Sequence, residues 1–363
     1  MGRVWKSIAF IVGILVILCI GRRTDASELA VKIAFPNLAE VLGLGTEELP
    51  ITSQMEGTVV EEQESLQPFL QKDEEIFREQ LAEENQLSFE TLLEEEETSQ
   101  AVQVEIPFEV AYTKEQLSDY DFLISRLYNV DGSTKTNSEQ LDADKLLAYD
   151  FHVKKETQGA QILIYHTHSQ EAFADSIPGD ESTTIVGMGS YLTTILQRQG
   201  FKVIHHKEVF DMENGNLDRN KAYTRAEPVI AQIIKENPDL QIVIDLHRDG
   251  VGENVHLVKE IDGKPTAQVM FFNGLSYSAK NGSISYLPNP YIENNLALTM
   301  QLKLASDSMV PGFARKVYLK SLRFNLHLHP GAMLVEAGAQ TNTVEEMRNA
   351  MEVLARVLGD VLY

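Results

Sequence analysis

From about residue 154 onward, short apolar runs alternate with longer amphipathic stretches, and this alternation strongly limits the folds open to the chain. The runs are typical of buried strands, and they read QILIYH (161–166), FKVIHH (201–206), QIVIDLH (241–247) and AMLVEAG (332–338). The stretches with helical spacing cover residues 189–199, 220–235, 296–307 and 343–361. Strands that alternate with helices of this length predict an α/β domain, with a largely parallel mixed sheet flanked by helices.

Histidine and carboxylate side chains lie at the ends of three of these runs. His166 and His168 follow the first, with Glu171 three residues later, while His247 ends the third run and Glu336 lies within the fourth. Parallel sheets place their functional sites at the carboxyl ends of the strands, so we expect these side chains to meet. Because alternate residues of an extended chain share a face, both His166 and His168 are expected to point into one cleft.

These residue types predict a zinc site. Two histidines and one carboxylate, with a fourth position open to water, form a standard catalytic zinc set. Cys19 is the only cysteine and lies in an N-terminal apolar run, so the rest of the chain can bind a metal only through His, Asp or Glu. A further glutamate in an apolar setting would have a raised pKa and could act as a general base. The structural alternative is that each strand-end histidine is simply hydrogen-bonded, but the combination favours a metal.

The first 23 residues are predicted to be a membrane anchor. An uncharged, mostly apolar run from Ser7 to Gly21 has basic residues on both sides, and its length is at the short end for a membrane-spanning helix. A cleavable signal peptide is the alternative, and in either case the remainder is exported. We therefore expect a single-pass protein of the cell membrane whose larger part lies on the extracytoplasmic side.

Residues 24–150 are predicted to be an acidic, partly disordered spacer with a small docking element near its end. Residues 61–100 carry 14 acidic and 2 basic side chains, and repulsion between like charges disfavours a packed core there. The formal net charge of the chain is −23, which argues against nucleic acid as a partner because phosphates require clustered Lys and Arg. The catalytic domain is expected to cover residues 151–363.

Three segments resemble the stage II sporulation protein P family, a group of membrane-anchored peptidoglycan hydrolases of endospore-forming bacteria. They read YHTHSQEAF (165–173), NKAYTRAEPVI running into QIVIDLHRDG (220–250), and GAMLVEAGAQTNTVEEM (331–347). That family is in turn similar to zinc-dependent N-acetylmuramoyl-L-alanine amidases. The resemblance therefore implies an amidase-like α/β fold with zinc (Zn2+) as the cofactor.

The resemblance also implies roles for individual residues. His247 corresponds to a metal ligand and Glu336 to the catalytic glutamate. Counting from the start of the strand favours His168 as the first metal ligand, while His166 is that ligand, a group that supports a ligand, or a group that contacts the substrate. Glu171 is the natural carboxylate ligand, although it follows sooner than the corresponding glutamate of ordinary amidases. Arg248 is expected to hold an anionic group of the substrate, with pairing to a neighbouring aspartate as the alternative.

The activity implied by the family is hydrolysis of the amide between the lactyl group of N-acetylmuramic acid and L-alanine. Family members are also associated with cutting peptide cross-links. The expected partners are peptidoglycan, the membrane, and stage II sporulation proteins D and M, in a complex that thins the septal wall during engulfment. Two other functions fit the residues, namely a zinc peptidase acting on another envelope peptide and a non-catalytic binding module. The presence of both His247 and Glu336 favours an enzyme.

Overall fold

The structure is a computed structural model that describes residues 112–154 and 156–363. The predicted membrane anchor and most of the predicted acidic spacer lie outside these residues. Within the two described ranges, no helix combines the length and the apolar character that crossing a membrane requires.

The strands of the described residues, in chain order, are β1 (Tyr128–Val130), β2 (Ile162–Tyr165), β3 (Val203–His205), β4 (Met212–Glu213), β5 (Asn216–Leu217), β6 (Ile242–Asp249), β7 (Val258–Ile261), β8 (Lys264–Ala267), β9 (Val269–Gly274), β10 (Tyr277–Ser278), β11 (Gly282–Ser283), β12 (Val317–Lys320) and β13 (Ala332–Ala339). Seven of them form one sheet in the order β1-β12-β9-β13-β6-β2-β3. Every neighbouring pair in it is parallel except β9 and β13. The predicted largely parallel mixed sheet is confirmed.

The helices of the same residues are α1 (Lys114–Leu117), α2 (Tyr120–Arg126), α3 (Ala143–Leu146), α4 (Ile185–Arg198), α5 (Ala222–Glu236), α6 (Ile292–Met309) and α7 (Val344–Leu362). The four long helices coincide with the four predicted helical stretches, apart from a few residues at their ends. Local chemistry explains one of those ends. Thr343 and Glu346 form a capping box that satisfies free backbone N–H groups where α7 begins.

Alternation along the strands divides the core into two layers, one on each face of the sheet. In β2, Ile162 and Ile164 belong to the layer that contains α4, α6 and α7. Leu163 and Tyr165 belong to the opposite layer, which contains α5. Helices therefore cover both faces of the sheet, as the predicted fold class requires.

The same alternation selects the face on which the polar residues of β6 and β13 lie. Val243 and Leu334 are buried in the α5 layer. Residues two apart in a strand share a face, so Asp245, His247 and Glu336 lie on the α5 side as well. The beginning of α5 is thus the element that faces these three side chains.

Residues before the predicted domain boundary at 151 contribute to the same sheet and core. Strand β1 pairs in parallel with β12, with Tyr128 opposite Val317. Leu123, Leu127 and Leu146 are buried in the layer that contains α4, α6 and α7. The predicted spacer therefore ends in residues that complete the edge of the α/β domain. Strand β1 is only three residues long, too short for a periodic pattern to be visible in the sequence.

Candidate metal centre

His168, Glu171 and His247 converge on one point at the carboxyl ends of β2 and β6. His168 and Glu171 lie in the turn after β2, whereas His247 is part of β6. One potential ligand atom from each residue lies within 4.8 Å of the other two. The side chains of Glu171 and His247 are buried, with exposures of 3% and 2%, and His168 is half-buried at 17%. These three residues form a group that could hold a metal ion.

The carboxylate of Glu171 is anchored through one oxygen. Its Oε2 accepts a hydrogen bond of 2.8 Å from the backbone N–H of Arg248 and lies 3.7 Å from Nδ1 of His247. Its Oε1 lies 3.5 Å from Nδ1 of His168. Burial acts to raise the pKa of Glu171, but the hydrogen bonds and charges of His168 and His247 outweigh it and hold that pKa well below its ordinary value. The side chain is therefore an anion, which is the form that binds a metal.

His247 is oriented from behind by the buried Asp245, two residues earlier on β6, to which no sequence motif assigned a role. Nε2 of His247 lies 2.8 Å from Oδ1 of Asp245. Asp245 in turn accepts bonds from the backbone N–H of Thr167, at 2.9 Å, and from its hydroxyl, at 2.5 Å. Burial lowers the pKa of His247, but the charge of Asp245 and the nearby Glu171 raise it well above its ordinary value. A carboxylate behind a metal-binding histidine is a common supporting arrangement.

His166 does not join the cluster, contrary to the expectation that it and His168 face one cleft. Strand β2 ends at Tyr165, and His168 already lies in a turn, so the alternation of an extended chain no longer applies between the two histidines. Nδ1 of His166 donates to the carbonyl of Leu246 at 2.7 Å, and its Nε2 faces Nε2 of His205 at 2.9 Å.

The pair of His166 and His205 lies against helix α4. Burial lowers the pKa of His166 to about 4 and the pKa of His205 to about 3, so both rings are neutral near neutral pH. A Cβ atom at Gly189 would lie 2.5 Å from Nε2 of His166 and 2.8 Å from Nε2 of His205. The lack of a side chain at Gly189, near the start of α4, thus leaves space for this pair of histidines. His166 supports the end of β2.

Glu336 lies beside His247 on the neighbouring strand. The two residues are register partners in the parallel pairing of β13 with β6. Oε2 of Glu336 is buried without a hydrogen-bond partner among the described residues. Burial raises the pKa of Glu336 to about 8, with Asp249 and Glu171 adding to the shift and His247 opposing it. The pairing register is interrupted just after Glu336, where Gly338 adopts a positive φ of 57°.

Tyr223, in the first turn of α5, forms a wall of the cluster, and no catalytic or metal-binding motif in the sequence indicated it. Its ring lies edge-on to His168, with centroids 5.5 Å apart, and is stacked on His247 at 6.4 Å. The ring of Phe324 contacts it edge-on at 5.5 Å, and the side chain of Asn325 donates to its carbonyl at 2.8 Å. The only sequence signal for Tyr223 was its place within the segment NKAYTRAEPVI.

A second HxH pattern, at His327 and His329, comes just before β13, where the spacing of its histidines would place both on one face of an extended strand. The chain instead forms a 3-10 turn at Leu326–Leu328, and Nε2 of His327 lies 3.2 Å from a carboxylate oxygen of Glu227 in α5. Arg323 binds both oxygens of that carboxylate, at 3.0 and 2.9 Å. These histidines lie outside the metal cluster, and His327 helps to hold α5.

Arg248 uses its guanidinium group on backbone carbonyls. Nε donates to Ala172 at 3.1 Å and Nη1 donates to Asp249 at 2.9 Å. The carboxylate of Asp249 pairs with Arg315 at 2.6 Å instead, so the alternative pairing of Arg248 with an aspartate side chain is not observed for Asp249. The role of Arg248 in substrate binding stays a prediction.

The residues of the cluster fit a zinc ion. The donor set of two imidazoles and one carboxylate is one that catalytic zinc uses. Nε2 of His168 is buried with no hydrogen-bond partner among residues 112–154 and 156–363, and buried polar atoms are normally satisfied. Among the described residues, His168, Glu171 and His247 are therefore the group that would hold such an ion, with Glu336 next to them as a carboxylate outside the group.

Comparison with known proteins supports the resemblance noted in the sequence. A family model described as Stage II sporulation protein P (SpoIIP) matches residues 40–359. The chain belongs to the stage II sporulation protein P family. A curated relative, Stage II sporulation protein P of Bacillus subtilis (strain 168), is 24% identical over 226 residues, which are 58% of this chain and 53% of the relative. The chain thus spans about half the length of that relative.

Among solved structures, N-acetylmuramoyl-L-alanine amidases are similar to this chain. The amidase AmiC2 of Nostoc punctiforme has 14% identity and a TM-score of 0.32, covering 57% of this chain and 96% of its own. The amidase from Clostridium difficile 630 has 11% identity and a TM-score of 0.33, covering 56% of this chain and 95% of its own.

Proposed function

We propose that this member of the stage II sporulation protein P family is a zinc-dependent hydrolase that cleaves the N-acetylmuramoyl-L-alanine amide bond of peptidoglycan. The observation that carries the proposal is the juxtaposition of the His168–Glu171–His247 group with Glu336. His247, one of the three candidate zinc ligands, is the register partner of Glu336 on the neighbouring strand, and His168 and Glu171 lie within reach of His247. Membership of the family supports the choice of peptidoglycan as the substrate.

The residues divide the chemistry between them. When zinc is bound, the chemistry it supplies is polarisation of the amide carbonyl and acidification of a water. Glu336, once deprotonated, accepts a proton from the attacking water and delivers it to the alanine nitrogen as the C–N bond breaks. A pKa raised to about 8 suits a group that must both take up and release a proton near neutral pH.

The remaining residues place the reacting groups. Asp245 fixes the ring of His247, and the backbone N–H of Arg248 fixes the carboxylate of Glu171. Tyr223 covers the imidazoles of the cluster on the side of α5. Burial of these groups excludes bulk water and strengthens the electrostatic interactions between them.

We further propose that the enzyme is anchored in the cell membrane with its catalytic part on the extracytoplasmic side. The apolar run between residues 7 and 21 supports this location. From the family we propose that it acts on septal wall during engulfment, together with stage II sporulation proteins D and M.

The test uses the full chain, purified without chelators, and measures bound zinc and the products of peptidoglycan digestion. We expect about one zinc per chain, from the three-ligand set, and we expect muramic acid freed of its peptide together with new alanine N-termini. His247→Ala should lose the zinc. Glu336→Gln should keep the zinc but lower hydrolysis by about 100- to 10,000-fold, the usual contribution of a general base.

Glu293→Gln is the matched control. Glu293 lies on α6, where its carboxylate accepts a hydrogen bond of 2.5 Å from the hydroxyl of Tyr149, and it takes no part in the cluster. It should leave both zinc content and hydrolysis unchanged. Full hydrolysis by Glu336→Gln, or absence of zinc from the unaltered chain, would refute the proposal. Release of new N-termini other than alanine would point to a peptidase instead.

A further inference from the structure

Arg219 lies at the rim of the metal cluster, in the segment that leads into α5. Its Nη1 is 3.8 Å from Oε1 of Glu171, the oxygen that does not receive the backbone hydrogen bond from Arg248. The side chain is 39% exposed, so its guanidinium group lies between the buried cluster and the solvent. Any ligand that reaches His168 and His247 from this side passes close to it.

The hydrogen-bonding capacity of Arg219 is largely unused. Its Nε is buried and has no hydrogen-bond partner among the described residues. The separation of 3.8 Å from Glu171 is longer than a charge-assisted hydrogen bond. Glu171 is moreover the proposed carboxylate ligand, so its charge is committed to the metal when one is bound. A guanidinium group that has donors to spare and loses its nearest anion is well suited to bind an external carboxylate.

Neighbouring cations differ from Arg219 in this respect. Arg225 donates to the carbonyl of Phe210 at 3.0 Å and to the carboxylates of Glu213 and Asp218 at 2.7 and 2.8 Å. Arg248 donates to two backbone carbonyls, as described above. Both guanidinium groups are therefore occupied by the protein itself.

We propose that Arg219 binds a free carboxylate of the stem peptide and thereby selects substrates that carry this charge close to the scissile amide. The inference rests on the proposed function, and it assigns to Arg219 the anion-binding role that the sequence suggested for Arg248. The planar fork of a guanidinium group fits the two oxygens of a carboxylate. In peptidoglycan such a group is the free α-carboxylate of a glutamate linked through its side chain, one residue beyond the alanine.

The experiment measures binding of a muramoyl tripeptide in two forms, one with this α-carboxylate free and one with it amidated. The protein is the zinc-loaded full chain carrying Glu336→Gln, which leaves the ligands intact. We expect the free acid to bind about 10- to 100-fold more tightly, the range for a hydrogen-bonded charged group. Adding Arg219→Gln should abolish the difference between the two forms, and Arg219→Lys should restore part of it.

Two further variants separate recognition from general charge effects. Lys221→Gln removes a cation that is similarly exposed and lies two residues further along, near Glu213, and it should leave the preference unchanged. Arg248→Gln should also retain the ratio of the two affinities, even if it weakens both. Adding Arg219→Gln to the Glu336→Gln chain should leave its zinc content and thermal midpoint unchanged. If Arg219 served only to hold Glu171 in place, the substitution would change both values and would weaken the binding of the two tripeptide forms equally.

A preference for the free acid that survives Arg219→Gln would overturn the inference, and so would equal binding of the two forms by the parent. Failure of the proposed function has a different signature. If the Glu336→Gln chain binds the free acid preferentially but the unaltered chain releases no peptide from peptidoglycan, the role of Arg219 stands and the hydrolase does not. If the unaltered chain hydrolyses peptidoglycan but the Glu336→Gln chain binds both forms equally, the hydrolase stands and the role of Arg219 falls.

Discussion

Asp245 is a residue whose effect on the candidate site is indirect. It is fully buried, it is held by two bonds from Thr167, and it lies 2.8 Å from the ring nitrogen of His247 that points away from Glu171. We expect Asp245→Asn to weaken zinc binding by about 10- to 100-fold, as is usual when such a supporting carboxylate is lost. Competition with a fluorescent zinc chelator measures this.

Asp249→Asn is the control for that prediction. Asp249 is also on β6, but its carboxylate pairs with Arg315 rather than with a histidine of the cluster. Zinc affinity should therefore stay within about twofold of the unaltered chain, because the side chain does not orient a ligand. Equal losses in the two aspartate variants would contradict a specific role for Asp245.

Glu336 connects the candidate site to the stability of the metal-free protein. Its pKa is raised from 4.5 to about 8 in the folded chain by burial. Between these values the folded chain keeps a proton that the unfolded chain has released, so the free energy of unfolding falls as pH rises through this window. We expect Glu336→Gln to raise the thermal midpoint with chelator present, by more at about pH 8.5 than at about pH 5.

Thermal melts of the two proteins at both pH values check this prediction. The neutral glutamine has no charge to desolvate, so its midpoint should depend less on pH than that of the unaltered chain. An equal gain at both pH values would mean that Glu336 is not protonated in the folded protein at neutral pH.

At the scale of elements, the beginning of α5 is held by a segment in a strained conformation. Phe324 and Asn325 have positive φ values of 48° and 59°, a region that non-glycine residues avoid at a cost of about 1–2 kcal/mol. Both residues contact Tyr223 at the beginning of α5. Next to them in the chain, Arg323 and His327 bind Glu227, which lies one helical turn after Tyr223. Strain here accompanies the contacts that place Tyr223 on the cluster.

Two substitutions at Asn325 separate the strain from the hydrogen bond. Asn325→Gly loses the bond to the carbonyl of Tyr223 but adopts the positive φ freely, so a loss of about 1 kcal/mol is expected. Asn325→Ala also loses the bond, and alanine tolerates the left-handed region less well than asparagine or glycine, so its free energy of unfolding should be lower by about 1 kcal/mol more. Urea unfolding measures both.

Asn214 provides the matched control, since it has a similar φ of 51° in the turn between β4 and β5. Its side chain makes no hydrogen bond within the described residues. Alanine should again be less stable than glycine, but glycine should not be less stable than asparagine. If glycine costs as much at position 214 as at 325, the bond to Tyr223 contributes nothing.

At the scale of the whole molecule, the single antiparallel pairing of β9 with β13 divides the sheet into two parallel groups of opposite direction. His247 and Glu336 lie on strands of one group, and the turn with His168 follows a third strand of that group. Their carboxyl ends consequently meet at one edge of the sheet, where open α/β sheets place their sites.

Residues before 151 should be needed for full stability, because β1 covers the edge of β12 and three leucines of this segment lie in the core. We expect a fragment of residues 151–363 to unfold at lower urea concentration than one of residues 112–363. Each buried leucine contributes about 1.5–3 kcal/mol, so the difference should be several kcal/mol. Equal midpoints would show that the segment is only an appendage.

The sequence alone determined the fold class and the strand ends that carry the site. Four apolar runs and four amphipathic stretches predicted the central strands and the long helices, because burial on a sheet or helix face leaves a local period. Three strands of the seven-stranded sheet were missed. YNV of β1 and VYLK of β12 are too short to show such a period, and VMFFNG of β9 is buried along its whole length, so it shows no alternation either. Membership of the family followed from motifs that are likewise local in the sequence.

Only the tertiary structure decided which side chains meet. His168 rather than His166 joins the cluster because the chain leaves its extended conformation after Tyr165, and no periodicity reports that change. Tyr223 and Arg219 reach the cluster from a segment about 50 residues after β2, through the way α5 lies on the sheet. Such contacts join residues that are far apart in the chain. They depend on how all the strands and helices are arranged, and local sequence patterns do not encode that arrangement.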